Sequence, residues 1–365
     1  MVIQSHNVYI DNSFKSCQID FDEDIIKGIY EYGEKEVNVD YGDLLIVPGF
    51  YDIHSHGGYG YDALDINRDG LLNWLENIKK EGVCGIYITL VSNDLEHYLK
   101  AIELIKSINN PMVLGIHLEG PYLSSKYKGA QNEIYLKDSD VEEFIKINKD
   151  KLIKIITLAP ERDKNHELIK YCKENNIAVS LGHSGCDYKE AYQAYLDGAT
   201  GITHCFNGMS GFKHRGGGLV NFALSEDIYS EVIGDGRHVE TDALKIFFKC
   251  KKDKAITITD SIALKGMPEG SNYIFGGNNI TLKENLALLD DGTIAGSTLK
   301  LNEALKILVN KCNISLSEAL NSMTINPMKY LGINNRGLIK ESYKSNIVVL
   351  NSEYDVIETY ISKSF

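Results

Sequence analysis

The sequence predicts an α/β protein: a (β/α)8 barrel with a small, discontinuous β-sheet domain drawn from both ends of the chain. Three observations lead there. Short apolar, β-prone runs alternate with helix-periodic runs from Asp52 to Asp260. Polar residues recur just after one β-prone run after another, and the C-terminal ends of the strands form the catalytic face of such a barrel. Further β-prone segments lie at both termini. At 365 residues the chain exceeds the usual single domain, and a barrel with a small second domain accommodates it. The expected boundaries are 1–48 and 335–365 for the two parts of the β domain and 49–334 for the barrel.

Residues 2 to 47 hold short β-prone runs (Val2 to Ile10, Ile25 to Tyr32, Val37 to Val39, Leu44 to Val47) separated by polar and glycine turns, without an amphipathic helix. Pro48 and Gly49 end the last of these runs. His54 and His56 follow, and in extended backbone residues two apart leave the same face, so both imidazoles converge as transition-metal ligands can. Asp69 is the expected cap of a helix with Leu71, Leu75 and Ile78 on one face and Gly82 beyond its end. A strand from Gly85 to Leu90 and a helix carrying Leu95, Leu99, Ile102 and Ile105 come next. The third strand, Met112 to Leu118, runs into Glu119. Val141, Phe144 and Ile145 mark a helix, Ile153 to Leu158 a strand, and 165–174 a helix. Strand Ile177 to Leu181 leads to His183, helix Tyr188 to Asp197 follows, and Gly201 to Thr203 leads to His204. Glu231 to Ile233 precedes Asp235 and His238, and the eighth strand, Ala255 to Thr259, precedes Asp260. Loop polarity accounts for one or two of these residues; it does not account for His54, His56, Glu119, His183, His204 and Asp260 all following strands.

Beyond the eighth strand, Tyr273 to Leu289 reads as an inserted hairpin turning at Asn278-Asn279. Helices are expected over Leu299 to Val309 and Leu316 to Ile325, then a short one from Asn326-Pro327 to Gly332. Ile347 to Leu350 and Val356 to Ile361 are β-prone and return to the first domain.

A net charge of −13 argues against nucleic acid or a membrane surface as partner, and an anionic substrate needs a local cationic pocket. The seven cysteines are scattered without C-x-x-C pairs, as reduced thiols of a cytoplasmic protein would be. Met1 to Asn12 lacks the pattern of a signal peptide, and no apolar run is long enough to span a bilayer.

Pro48-Gly49-Phe50-Tyr51-Asp52-Ile53-His54-Ser55-His56-Gly57 resembles the opening motif of the amidohydrolase superfamily. His117-Leu118-Glu119-Gly120-Pro121-Tyr122, Lys128-Gly129, Gly182-His183-Ser184 and Thr203-His204-Cys205-Phe206-Asn207-Gly208-Met209 narrow the resemblance to the N-acetylglucosamine-6-phosphate deacetylases. Asp235-Gly236-Arg237-His238, Thr259-Asp260, Ala295-Gly296-Ser297-Thr298-Leu299 and Asn326-Pro327 agree with it. The resemblance covers nearly the whole chain, and it implies a (β/α)8 (TIM) barrel beside a β-sandwich.

It further implies a divalent transition metal, zinc or iron, held by Glu119, His183 and His204, with a second ion at His54 and His56 and Glu119 bridging. One carboxylate with two imidazoles leaves a coordination position open. The implied acid/base is Asp260, which would take a proton from the attacking water and deliver it to the leaving amine. The implied substrate is N-acetylglucosamine 6-phosphate, with Arg215 and His238 toward the phosphate and Ala130, Gln131, Asn207, Gly208, Ala295 and Gly296 around the sugar and acetamide. It also implies a homodimer in which Arg215 reaches the neighbouring site. One position departs from the pattern: Gln131 stands where the family has a histidine that contacts the acetyl group. Either its amide donates to the acetyl carbonyl or its side chain points to solvent. Glu161 lies on the catalytic face without an assigned role.

Three other readings compete. The galactosamine epimer would undergo the same chemistry. A cyclic amidase would carry a carboxylated lysine after the fourth strand, where this chain has Leu158-Ala159-Pro160. An inactive scaffold would have lost ligands, and none is lost here.

Overall fold

The computed structural model describes residues 1–65 and 67–364. The chain begins with β1 (Val2–Ile10), β2 (Ser13–Phe21), β3 (Ile26–Glu31), β4 (Val39–Asp40) and β5 (Leu45–Pro48). The sequence reading passed over β2, whose first half, Ser13-Phe14-Lys15-Ser16, has little apolar content. It is paired through Asp11 and Asn12, both at positive φ (+50° and +62°), which is the two-residue turn that matches the twist of a hairpin.

The barrel strands follow: β6 (Phe50–Ser55), then, after the short ribbon β7 (Gly57–Gly58) and β8 (Tyr61–Asp62), come β9 (Val83–Leu90), β10 (Val113–Glu119), β11 (Ile153–Leu158), β12 (Ala178–Leu181), β13 (Gly201–Ile202), β14 (Tyr229–Ile233) and β15 (Ala255–Ile258). β6 and β9 to β15 pair in parallel and in sequence order. The first of them is Phe50–Ser55, so the Leu44–Val47 run belongs to the terminal sheet and the chain passes from sheet to barrel at Gly49. A Cβ at Gly49 would lie 2.4 Å from Cys84 Sγ, so only glycine fits that passage.

One helix follows each barrel strand: α1 (Arg68–Lys79), α2 (Leu95–Ile108), α3 (Val141–Ile147), α4 (Glu167–Glu174), α5 (Tyr188–Asp197), α6 (Leu219–Ser225), α7 (Thr241–Lys251) and α8 (Leu301–Asn310). The cap of α1 is Asn67, whose side chain accepts from Gly70 N, and not Asp69, which lies inside the first turn. The sequence reading did not assign α6 and α7. In α7 the buried residues Leu244, Phe247, Phe248 and Lys251 keep helical spacing among β-prone aromatics. No helix of the described residues is long and apolar enough to cross a membrane.

Between β15 and α8 the chain forms a three-stranded antiparallel sheet, β16 (Asn272–Phe275), β17 (Asn278–Lys283) and β18 (Leu286–Leu289). Asn278 and Asn279 begin a strand rather than a turn. The turns are Gly276-Gly277 and Glu284-Asn285, all four at positive φ as this turn type demands. After α9 (Leu316–Met323) and α10 (Ile325–Tyr330), β19 (Ile347–Leu350) and β20 (Val356–Tyr360) complete one seven-stranded mixed sheet, ordered β20-β19-β5-β1-β2-β3 with β4 on β1. Its apolar core joins Ile3, Ile19, Phe21 and Ile46 to Ile347 and Val349 from the far end of the chain.

The barrel closes between β6 and β15. There Asp260 N–H donates to His54 O at 2.8 Å and His56 N–H to Ser261 O at 2.7 Å. The buried Asp52 carboxylate locks this seam, accepting from Thr259 Oγ1 at 2.5 Å and from Thr259 N at 3.3 Å. Asp52→Ala would leave these donors buried and unpaired. It is expected to lower the free energy of unfolding by about 3 kcal/mol in urea titration, with Thr259→Val losing less.

Candidate metal centre

Strand ends bring the site together. His54 lies in β6 and His56 one residue past it, Glu119 ends β10, and His183, His204 and Asp260 each stand two residues past a strand. The last three have φ of +47°, +28° and +50°, left-handed backbone that non-glycine residues seldom adopt. That turn swings each side chain across the barrel mouth, and the surrounding loops hold it there. Ser124 N donates to His183 O at 2.9 Å, and Glu161 accepts from Ser184 Oγ and Gly185 N, each at 2.6 Å. Glu161 thus gains a role as the clamp on the loop that carries His183.

Three groups of donor atoms result among the described residues: Glu119–His183–His204 and His54–His56–Asp260, which adjoin the cavity, and His54–His117–Glu231, which is fully buried in the barrel wall. In the first, Glu119 Oε1 lies 3.1 Å from both His183 Nε2 and His204 Nε2, which are 3.1 Å apart. In the second, His54 Nε2 and His56 Nε2 are 3.3 Å apart and lie 3.5 and 3.2 Å from Asp260 Oδ1. Glu119 stands between them, with Oε1 3.4 Å from His54 Nε2 and Oε2 3.4 Å from His56 Nε2.

The donor set fits a cation. His183 Nδ1 lies 2.7 Å from Tyr127 O and His204 Nδ1 3.1 Å from Asn207 O. Carbonyls only accept, so each Nδ1 carries the proton and each Nε2 presents a lone pair. Two lone pairs facing one carboxylate oxygen repel unless positive charge lies among them. Ligands bonded at about 2.0–2.1 Å around a tetrahedral ion stand roughly 3.3 Å apart, close to the spacings here.

Electrostatics agree with the geometry. Burial pushes the Glu119 carboxyl up, yet positive charge shared among His183, His54 and His204 holds it well below the usual carboxylate range, so the cluster draws in a proton wherever a cation does not neutralise it. Burial works likewise on Asp260, and His54, His56 and His204 bring it down to about 2. Burial opposes a charged His54, but Glu231, Glu119 and Asp260 raise its pKa well above the ordinary value. His117 is different: it is fully buried, satisfied by Ile53 O at 2.9 Å and Thr157 Oγ1 at 2.7 Å, and a structural member of the barrel wall.

Above the trios lies a cavity of about 220 Å³ lined by His56, Glu119, Ala130, Gln131, His183, His204, Asn207, Gly208, His238, Asp260 and Gly296, together with Ile233, Phe275, Thr293 and Ile294. His54 lies beneath this wall, fully buried, and Ala295 is buried beside Gly296 without reaching it. His238 donates through Nδ1–H to Asp235 Oδ2 at 2.6 Å, while its Nε2 and the Asn207 amide nitrogen are buried without a partner among the described residues. Arg215 is exposed and lines a separate depression with Phe212 and Ile246, outside the cavity of its own chain. Gln131 does not point to solvent: it is 3 % exposed, its Nε2 donates to Glu119 Oε2 at 2.6 Å and its Oε1 accepts from Ser92 N at 2.8 Å.

Sequence reasoning missed Glu231, whose Oε2 lies 2.9 Å from His54 Nδ1 and fixes which ring nitrogen faces the site. A charged residue inside the apolar run Ser230-Glu231-Val232-Ile233 was the available signal. Phe275, 5.4 Å from the His56 ring between centroids, was hidden in the inserted sheet.

Residues 45–363 match the amidohydrolase family. The chain is 37% identical to N-acetylglucosamine-6-phosphate deacetylase of Bacillus subtilis (strain 168) over 330 residues, covering 87% of this chain and 83% of that one. It is 31% identical to N-acetylgalactosamine-6-phosphate deacetylase of Escherichia coli O157:H7, covering 87% and 86%. The crystal structure of N-acetylglucosamine-6-phosphate deacetylase from Pasteurella multocida superposes with a TM-score of 0.93 at 28% identity, over 99% of this chain and 98% of that chain.

Because Glu231 orients His54, Glu231→Ala is expected to weaken metal binding at the His54–His56–Asp260 trio by roughly 10- to 100-fold, measured by titrating metal-free protein. Unchanged affinity would leave Glu231 a core residue only.

Proposed function

The chain belongs to the amidohydrolase family, and on that footing we propose that it removes acetate from N-acetylglucosamine 6-phosphate, giving glucosamine 6-phosphate, in amino-sugar catabolism. One observation carries this reading: two trios of metal-type ligands, Glu119–His183–His204 and His54–His56–Asp260, lie side by side at the floor of a cavity with Glu119 between them. A divalent ion bound there, zinc or iron, would polarise the acetyl carbonyl and activate water. Glu119, His183 and His204 would hold the first ion, and His54 and His56 a second.

Asp260 is a base at neutral pH, held ionised by three histidines. It accepts a proton from the attacking water through its carboxylate and passes it to the amide nitrogen as the C–N bond breaks. Acetate and a free amine leave. The unpartnered His238 Nε2 faces the phosphate end, a donor there when the ring is protonated, the Asn207 amide donates to the sugar, and Gly208, Ala130 and Gly296, with Ala295 behind it, shape the wall around it.

Arg215 completes the phosphate end from a partner subunit in a homodimer. Its exposure and its distance from its own cavity support that, as do the exposed Phe212 and Ile246 beside it. Seven unpaired cysteines, six of them buried, support a cytoplasmic setting. The units 1–48 with 335–365, and 49–334, remain our proposed domain division, supported by the pairing of β19 with β5.

Four outcomes test the reading. Acetate should be released from N-acetylglucosamine 6-phosphate faster than from the galactosamine epimer; chelation should abolish turnover and metal restore it. Full activity in metal-free protein would contradict the mechanism, and preference for the epimer would reassign the substrate. Asp260→Asn should lower kcat by at least ~10²-fold with metal still bound. Mixing Arg215→Ala with Asp260→Asn subunits should regain activity through hybrid dimers; no recovery after proven subunit exchange would confine Arg215 to its own chain.

A further inference from the structure

Gln131 occupies a place in the site that its sequence position did not reveal. It lies in the loop after β10, pinned at both levels. Its backbone N–H donates to Lys128 O at 3.0 Å, and Asn278 from the inserted sheet donates to the neighbouring Ala130 O at 3.0 Å. The side-chain amide has one orientation, because Ser92 N–H can only donate and therefore takes Oε1. Nε2 is left facing Glu119 Oε2 at 2.6 Å, a short hydrogen bond to a charged acceptor.

Both Glu119 oxygens are thus engaged, and unequally. Oε1 stands 3.1 Å from His183 and His204 and farther, 3.4 Å, from His54, whereas Oε2 is 2.6 Å from Gln131 and 3.4 Å from His56. A carboxylate serves two ions best when each oxygen is free for one of them. Here the second oxygen already receives a proton donor that cannot ionise.

We propose that Gln131 is a positioning residue that makes the two trios unequal: its amide holds Oε1 on the Glu119–His183–His204 trio and withholds Oε2 from the His54–His56–Asp260 trio. The protein then carries one tightly held ion and a second, exchangeable one. The inference rests on the metal reading above and deepens it, but its test needs no substrate.

Metal-free protein is titrated with Zn²⁺ against a chromophoric chelator. The wild type should bind a first ion at least roughly tenfold more tightly than a second. In Gln131→Ala, and in Gln131→Met, which fills the same space without a donor, the first site should weaken by about tenfold while the second tightens. Opposite movement is the distinguishing readout, since a merely loosened pocket weakens both sites. Thermal unfolding of each variant shows which remain folded, and the Met variant decides if the Ala variant does not. Two equal sites in the wild type, unchanged constants in the variants, or parallel weakening would overturn the proposal. Wild-type protein that binds no Zn²⁺ would overturn the metal reading together with it.

Discussion

Everything at the barrel mouth depends on one buried carboxylate, Glu119. It is 3 % exposed and ringed by four imidazoles and an amide. An ionised carboxylate taken out of water needs compensating positive charge and hydrogen bonds. Three of these histidines, His183, His204 and His54, aim Nε2 at the site, because their other ring nitrogens are committed to Tyr127 O, Asn207 O and Glu231. The fold therefore builds a cluster that a cation completes, and the tautomers that make it so are set one residue further out.

The same constraint explains why the site stands where it does. Parallel strands end together at one face of the barrel, and loops there are free to take conformations that strands cannot. His183, His204 and Asp260 use that freedom at positive φ, each two residues past its strand. The strain is held by ties between loops, such as Ser184 N to Gly208 O and Ser210 N to Ser184 O. On the opposite side of the seam, Asp52 and Thr259 fix β6 against β15, so the His54–His56 pair and Asp260 keep their spacing.

Much of this was legible in the chain. The alternation of apolar runs gave the barrel, and the recurrence of His, Glu and Asp after those runs gave the side chains that gather at its mouth, because both signals are local. What escaped was non-local. Glu231 reads as an odd charge in a strand until His54, far away in sequence, is placed beside it. The β2 strand has too few apolar residues to announce itself, yet it pairs because a two-residue turn folds it onto β1. Asn278-Asn279 resembled a turn, but Gly276-Gly277 reaches left-handed backbone at lower cost and takes the corner instead. Gln131 could be recognised as unusual from its neighbours in sequence, but only the positions of Ser92 and Glu119 fix what its amide does.

The central claim is that Glu119, His183 and His204 hold an ion. The most direct measurement is anomalous diffraction at the absorption edge of the metal found in active protein. The account predicts a peak within about 2.0–2.2 Å of Glu119 Oε1, His183 Nε2 and His204 Nε2. Crystals of fully active protein with no anomalous peak among those three atoms would contradict it.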